Sequence, residues 1–513
     1  MKKGLQAAIG TAVLITSLLS GCASGNSNEE KEHTASKDAG PTEISLMAIN
    51  TGAEAPKDDN AIELEMEKRT NTKLNIKYIP SNNYGDKFKV TIASGDIPDV
   101  MLTTWIYDPV VMQAIREGAF WDLTPYLKDY PNLMNTYPKE SWDNTRIDGK
   151  NYGIPRPRPL AGGVAFPALR KDWMDKLGLS TPKTMDELYT VLKAFTENDP
   201  DGNGKKDTVG FAASVGEGWM DKLAFVEDVF AGDQNGTFIK DGKMEFRDFQ
   251  PSERDALLWL QKAYKEGVLA TDFAVMKETQ VYDMMKAGQI GMAPRSMDSA
   301  AIWDAISTLR KTSPNADIIH LPWITSPATG KPFVHKEGGF FGNYLISKKV
   351  PEAKMKKILE FFDYGASKEG MDLAKYGLEG VHHTVEGGIK TQNEEYKKIP
   401  GGQLVGIWSF VDKYSRVLPA GGSPMEMTER DKKVVDERLK VGTFINMSGV
   451  NSETETQHWT EIAKKIQDMK IKVIMGKETI EEWDKMVISL KEDPRMNNIL
   501  EERYDSYRKL YGN

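Results

Sequence analysis

Cysteine is almost absent: Cys22 stands alone among 513 residues. No intrachain disulfide can staple such a chain, so an apolar core must supply its stability. Basic charge is not in excess either. With 67 Lys and Arg against 75 Asp and Glu, the net charge of −8 gives no electrostatic footprint for nucleic acid. No apolar run reaches the roughly 20 residues that cross a bilayer as a helix, and that includes the first one, Ile9 to Leu19. Motifs of catalysis are missing too: no Gly-x-Ser-x-Gly, no His-Glu-x-x-His and no Walker phosphate loop. The six histidines, with the adjacent pair His382 and His383, show no metal-ligand spacing. What is present is 40% hydrophobic and 28% charged content, that of an ordinary globular protein long enough for two or three domains.

The N-terminus has a charged start at Lys2 and Lys3, a short apolar middle and small residues behind it, the three-part layout of a secretory signal. Leu19-Ser20-Gly21-Cys22 resembles a bacterial lipobox. That resemblance implies that residues 1–21 are removed, that Cys22 is lipidated and that the mature chain stays at the outer membrane surface. Residues 23–40 are small and polar and cannot bury enough to fold, so 22–41 reads as a flexible stalk.

Ile44, Leu46 and Ala48 alternate with polar neighbours, as in a strand. Ile62 and Met66 then keep helical spacing, Leu74, Ile76 and Tyr78 alternate again, and Tyr84, Phe88 and Ile92 mark a second helix closed by Gly95. Pro98 to Leu102 reads as the next strand. This order predicts right-handed βαβ units and a parallel sheet, hence an α/β fold. Helices are expected over 185–197, 252–266, 297–311 and 352–367, with three more near the C-terminus. Asp241-Gly242 between apolar pairs predicts a hairpin, and 340–346 a late strand.

Several segments, taken in order, resemble the extracellular solute-binding proteins of ABC importers, the family that includes maltose- and oligosaccharide-binding proteins. They are Ala93 to Val100 (ASGDIPDV), Gly118-Ala119-Phe120, Asp122 to Pro125 (DLTP), Asp148 to Pro155 (DGKNYGIP), Arg170 to Trp173 (RKDW), Pro182 to Leu188 (PKTMDEL) and Lys286 to Met292 (KAGQIGM). The resemblance covers about residues 43–370. It implies two α/β lobes, the second helix-rich, joined by a hinge and closing on ligand held in the cleft between them. By analogy the first lobe takes 42–159 plus about 320–380, and the second about 160–319 plus 381–513.

Asp199, Asp201, Asn203 and Asp207 fall at positions 1, 3, 5 and 9 of a calcium-type loop, with the Lys205 carbonyl at 7 and Gly204 at the sharp turn. Position 12 is Gly210, which cannot supply the bidentate glutamate of an EF-hand. Thr208, water or a carboxylate from elsewhere would have to complete the shell. The same spacing also suits a plain polar turn. The family resemblance favours calcium in a structural role.

For the ligand, Trp105 lies just past a strand end, where open α/β sheets gather their ligands. Arg156 and Arg158 follow at the expected lobe crossover and could clamp an acidic or multiply hydroxylated ligand, or pair with surface carboxylates. Glu217 with Trp219, Arg295 and Trp408 complete the candidate set, while Trp303 suits a core position better. The expected function is a lipid-anchored, monomeric receptor that passes a carbohydrate, an oligosaccharide, to a membrane permease. The alternatives are a receptor for another solute and a cell-surface polysaccharide-processing enzyme, since glycosidase chemistry needs only two carboxylates.

Overall fold

The computed structural model describes residues 40–50, 55–233, 236–386, 388–399, 407–419, 422–444 and 446–512. The expected signal, Cys22 and all but the last two positions of the expected stalk lie outside the described residues.

Five strands form the first sheet, in the order Thr72–Pro80, Thr42–Asn50, Val100–Thr103, Phe340–Ile346, Gly153–Pro157. The first three run parallel, and Phe340–Ile346 is antiparallel to both of its neighbours. Leu46, Met47 and Ala48 are all buried, because this strand is covered on both faces rather than one. The helix Ala61–Thr70 starts where the Asn60 side chain accepts from the Ile62 and Glu63 N–H groups and stops at left-handed Asn71. Ser81–Ser94 ends at Gly95, φ 69°. The helices Glu352–Gly365 and Lys368–Tyr376 pack on the same core, which also holds Ile407 and Trp408.

The second sheet has four strands, in the order Ile318–His320, Phe166–Arg170, Ile290–Arg295, Val209–Phe211. Its core takes in Met185–Glu197, Pro251–Lys265 and the C-terminal helices Glu453–Ile474, Ile480–Glu492 and Pro494–Tyr511. With Met425–Val441, four helices follow residue 424 where three were expected, because Asp493-Pro494 divides the last stretch. The Asp241-Gly242 hairpin forms, with φ of 50° and 70°.

The two sheets and their helices make the expected two α/β lobes. The return segment differs from the expectation of 320–380. Leu321, Ile324, Phe333 and Val334 pack in the second core, whereas Tyr396, Ile407 and Trp408 pack in the first. The first lobe therefore regains the chain from about 338 to 412, because Phe340–Ile346 is the strand that completes its sheet. The chain crosses between lobes three times: after Pro157, before Phe340 and after Val411.

One glycine decides local geometry at the crossing. Gly342 has φ 76°, and a Cβ there would collide with the Thr103 carbonyl. It permits the register slip between Phe340 and Asn343.

Candidate ligand-binding cleft

A cavity of about 840 Å³ opens between the lobes, a size suited to a ligand rather than a solvent molecule. Phe340 and Gly338 line it from the first lobe, Trp219, Phe225, Phe444 and Trp459 from the second, and Gly163 and Glu337 from the crossings. Trp105 stands behind Phe340, ring centroids 6.3 Å apart and planes within 13°. It is 47% exposed and is turned out of the strand end by Thr103, whose hydroxyl donates to the Trp105 carbonyl at 2.9 Å.

Trp219, 58% exposed, is carried on a tight turn that has a buried clamp. The Gln467 amide accepts the Gly218 N–H at 2.7 Å and donates to the Gly216 and Trp219 carbonyls at 2.5 and 2.7 Å. Glu217 is exposed on the same turn. The tryptophan is thus an apolar platform held by a polar residue from a helix some 250 positions later in the chain.

Below the cavity lies a buried charge network. Arg247 meets Glu227 at 2.9 Å and also pairs with Asp228, while Lys470 meets Glu253 at 2.6 Å and Glu227 and Asp248 at 3.1 Å each. His335 Nε2 reaches Asp228 at 2.8 Å. Four acidic side chains share two cations here, and burial pushes the Asp248 carboxyl up from its ordinary value. Burial, then the neighbouring Glu227, pushes the Glu253 carboxyl up to about 7.

Arg156 and Arg158 lie at the crossing beside the cavity rather than in its lining, both over the ring of Phe341 at 5.5 and 5.4 Å. Arg295 is elsewhere occupied: Glu278 takes it at 3.3 Å and Tyr282 stacks on it at 4.6 Å, and it does not line the cavity. Trp408 corrects the expectation outright. It is fully buried between Phe361 and Tyr364, with centroids at 5.1 and 5.6 Å, and offers no face to a ligand. Gly365 leaves the room its indole fills.

Sequence reasoning missed Phe444, Trp459 and Gln467, which lie far from the matching segments. One signal was present: Gln467 and Lys470 fall on the same helical face as Ile462, Ile466 and Val473, an unusual place for polar side chains.

The 199–207 loop lies between the helix Met185–Glu197 and the strand Val209–Phe211, on the second lobe and away from the cavity. Asp199 accepts from the Gly202, Asn203 and Gly204 N–H groups at 3.0–3.1 Å, and Asn203 Oδ1 from Lys205 N–H at 2.7 Å. The Asn203 amide nitrogen stands where the Asp201 and Asp207 carboxylates converge, at 2.8 and 3.1 Å, the place a cation would take. These donors fit calcium. Thr208 does not complete the shell: its hydroxyl is buried and donates to the Phe195 carbonyl at 2.8 Å. A tighter acidic trio, Asp59, Glu63 and Glu67, was not foreseen. Lys73 bridges Asp59 and Glu67 at 2.6 and 3.2 Å, which gives it a structural account.

Residues 51–372 match the family model for bacterial extracellular solute-binding proteins. The chain belongs to that family. Solute-binding proteins of this family act outside the cytoplasmic membrane and are not enzymes. Among the described residues no helix is long and apolar enough to cross a membrane. The chain is 34% identical to the polygalacturonan/rhamnogalacturonan-binding protein YtcQ of Bacillus subtilis (strain 168) over 487 residues, 92% of each chain. Its fold is similar to that of a solute-binding protein from Bifidobacterium longum infantis associated with an HMO-binding ABC transporter. That likeness has TM-score 0.70 and 20% identity and covers 92% of this chain and 99% of that one. It is also similar to an EF-hand mutant of the S. pneumoniae substrate-binding protein FusA in complex with fructo-nystose. There the TM-score is 0.61 at 17% identity, covering 91% and 99%.

Proposed function

We propose that this solute-binding protein captures a carbohydrate, an oligosaccharide, between its two lobes and delivers it to the membrane permease of an ABC importer. The observation that carries the reading is the pair of aromatic walls. Phe340, backed by Trp105, faces the cavity from one lobe, and Trp219 and Trp459 face it from the other. Sugar rings present apolar C–H faces and polar edges, so aromatic platforms combined with the polar network of Glu227, Asp228 and Lys470 suit them. YtcQ, similar along nearly the whole chain, is by name a polygalacturonan/rhamnogalacturonan-binding protein.

In this reading the closed arrangement binds ligand better than the open one, which is what lets ligand drive closure. A lipid on Cys22, with residues 22–41 as stalk, keeps the monomer at the membrane surface beside its permease. One calcium ion, held by Asp199, Asp201, Asn203, Asp207 and the Lys205 carbonyl, braces the second lobe without touching ligand. An EF-hand is named for the FusA neighbour, which supports that assignment.

Titration calorimetry against a panel of oligosaccharides tests the main claim. Saturable binding with no new reducing ends is expected. Turnover of the sugar, or binding only of non-sugar solutes, would overturn it.

A further inference from the structure

Three arginines and one carboxylate meet where the chain crosses between the lobes. Arg156, 8% exposed, lies in the strand Gly153–Pro157, and Arg158 follows it. Both guanidiniums lie over Phe341. Arg416 arrives on the third crossing and meets Glu337 at 3.5 Å. Glu337 also accepts the Gly163 N–H at 2.5 Å and lines the cavity.

This cluster is short of negative charge. Among the described residues Arg156 and Arg158 make no salt bridge, and the one hydrogen bond of the Arg158 side chain goes to the Pro157 carbonyl at 3.2 Å. The Nε atoms of Arg156 and Arg416 are buried without a hydrogen-bond partner. Burial, and then the like charges of Arg156 and Arg416, pull the Arg158 guanidinium down to about 10. Gathering like charges out of water is costly, and an arriving anion removes that cost while filling the empty donors.

We propose that Arg156, Arg158 and Arg416 form a subsite for a carboxylate of the ligand, so that the sugar captured is a uronic-acid oligosaccharide. The inference rests on the cleft being the sugar site. Planar guanidinium forks match carboxylates in paired hydrogen bonds. Phe341 holds two of them in place, and Phe340 beside it offers the sugar a face. The opposite wall carries Glu227, Asp228 and Asp248 paired with Arg247 and Lys470, oxygens that can accept from sugar hydroxyls.

The test compares three probes on the full-length protein by calorimetry: a galacturonate trimer, the same trimer with its carboxyls methyl-esterified, and a triaspartate peptide. The acid is expected to bind about 10- to 100-fold more tightly than the ester, the scale of losing one partner of a buried charged pair. Arg158→Gln and Arg416→Gln should abolish that preference, bringing acid and ester to the same affinity. Glu337→Gln, which removes the single counter-charge, should tighten the acid alone, a gain that a merely damaged fold cannot produce. Equal affinity for acid and ester in the wild type overturns the subsite but leaves the carbohydrate reading intact. Triaspartate binding as tightly as the trimer overturns the sugar-acid assignment. No binding of either trimer, alongside binding of a neutral sugar from the panel, also overturns the subsite; no sugar binding at all defeats both readings.

Discussion

The indole of Trp105 stacks on Phe340 at 6.3 Å and 13°, joining the loop after one strand to the start of a strand laid down some 235 residues later. Tyr107, from the same loop, meets the Trp105 ring edge-on at 5.5 Å. The Phe340 contact makes a stiff aromatic wall from two pieces of chain that meet only because Phe340–Ile346 inserts between Val100–Thr103 and Gly153–Pro157.

Trp105, Trp219 and Trp408 should separate cleanly on substitution. Trp219→Ala, at an exposed position, should leave the melting temperature nearly unchanged and weaken sugar binding by about 1–2 kcal/mol. Trp105→Ala should weaken binding less, through loss of the stack behind Phe340. Trp408→Ala should cost about 3–5 kcal/mol of stability with the affinity of the folded fraction preserved. Denaturant unfolding and calorimetry on the three variants check this, and a loss of affinity confined to Trp408→Ala would contradict the cleft described here.

Gln467 lines the cavity and holds the turn that carries Trp219. Gln467→Ala leaves the Gly218 N–H and the Gly216 carbonyl without their partner and should cost about 1–3 kcal/mol of stability. It should also weaken binding about as much as Trp219→Ala. The double variant should then bind no worse than Trp219→Ala alone, because both act through one ring. Additive losses would show that Gln467 has a separate role.

Chelation bears on the 199–207 loop. EDTA should lower the melting temperature, calcium should restore it, and Asp201→Ala should make the protein indifferent to both. Sugar affinity at saturating calcium should be the same in Asp201→Ala and wild type, since the loop does not line the cavity. A melting curve that ignores EDTA and calcium in the wild type would remove the ion from this account.

Glu63 gives stability a pH dependence. Burial, then the charges of Glu67, Asp58 and Asp59, push its carboxyl up to about 7 from an ordinary 4.5. The folded chain therefore holds this proton over a range where the unfolded chain has lost it. The associated stability is full below about 4.5 and is lost as pH rises through 7. Glu63→Gln should raise the melting temperature at pH 8 and leave it unchanged at pH 4. The reverse pattern in thermal melts would show that the carboxylate, not the acid, is the form this site favours.

Much of the first lobe is legible in the sequence because its opening elements are local. Strand alternation and the Gly95 stop each depend on a few neighbouring residues. The late strand Phe340–Ile346 is visible as a strand, but its place in the sheet is not. Pairing partners are chosen by burial across the whole lobe, which is also why the return segment extends to about 412 rather than 380.

The site divides in the same way. Trp105 and the arginine pair are expectations drawn from position, past a strand end and at a crossover. Trp408 cannot be told from a ligand platform by its neighbours, because exposure is a property of the packed chain.

By itself, the sequence determined what local chemistry governs: a chain with a single cysteine, a signal-like start, an α/β order of elements and a polar loop with calcium spacing. Tertiary structure alone decided which aromatics face the cleft, that Gln467 holds Trp219, and that Arg416 joins Arg156 and Arg158 with one carboxylate among them. Those are long-range relations between segments up to about 260 residues apart. They exist only once the crossings bring the segments into one low-dielectric place, where charge balance and packing act together.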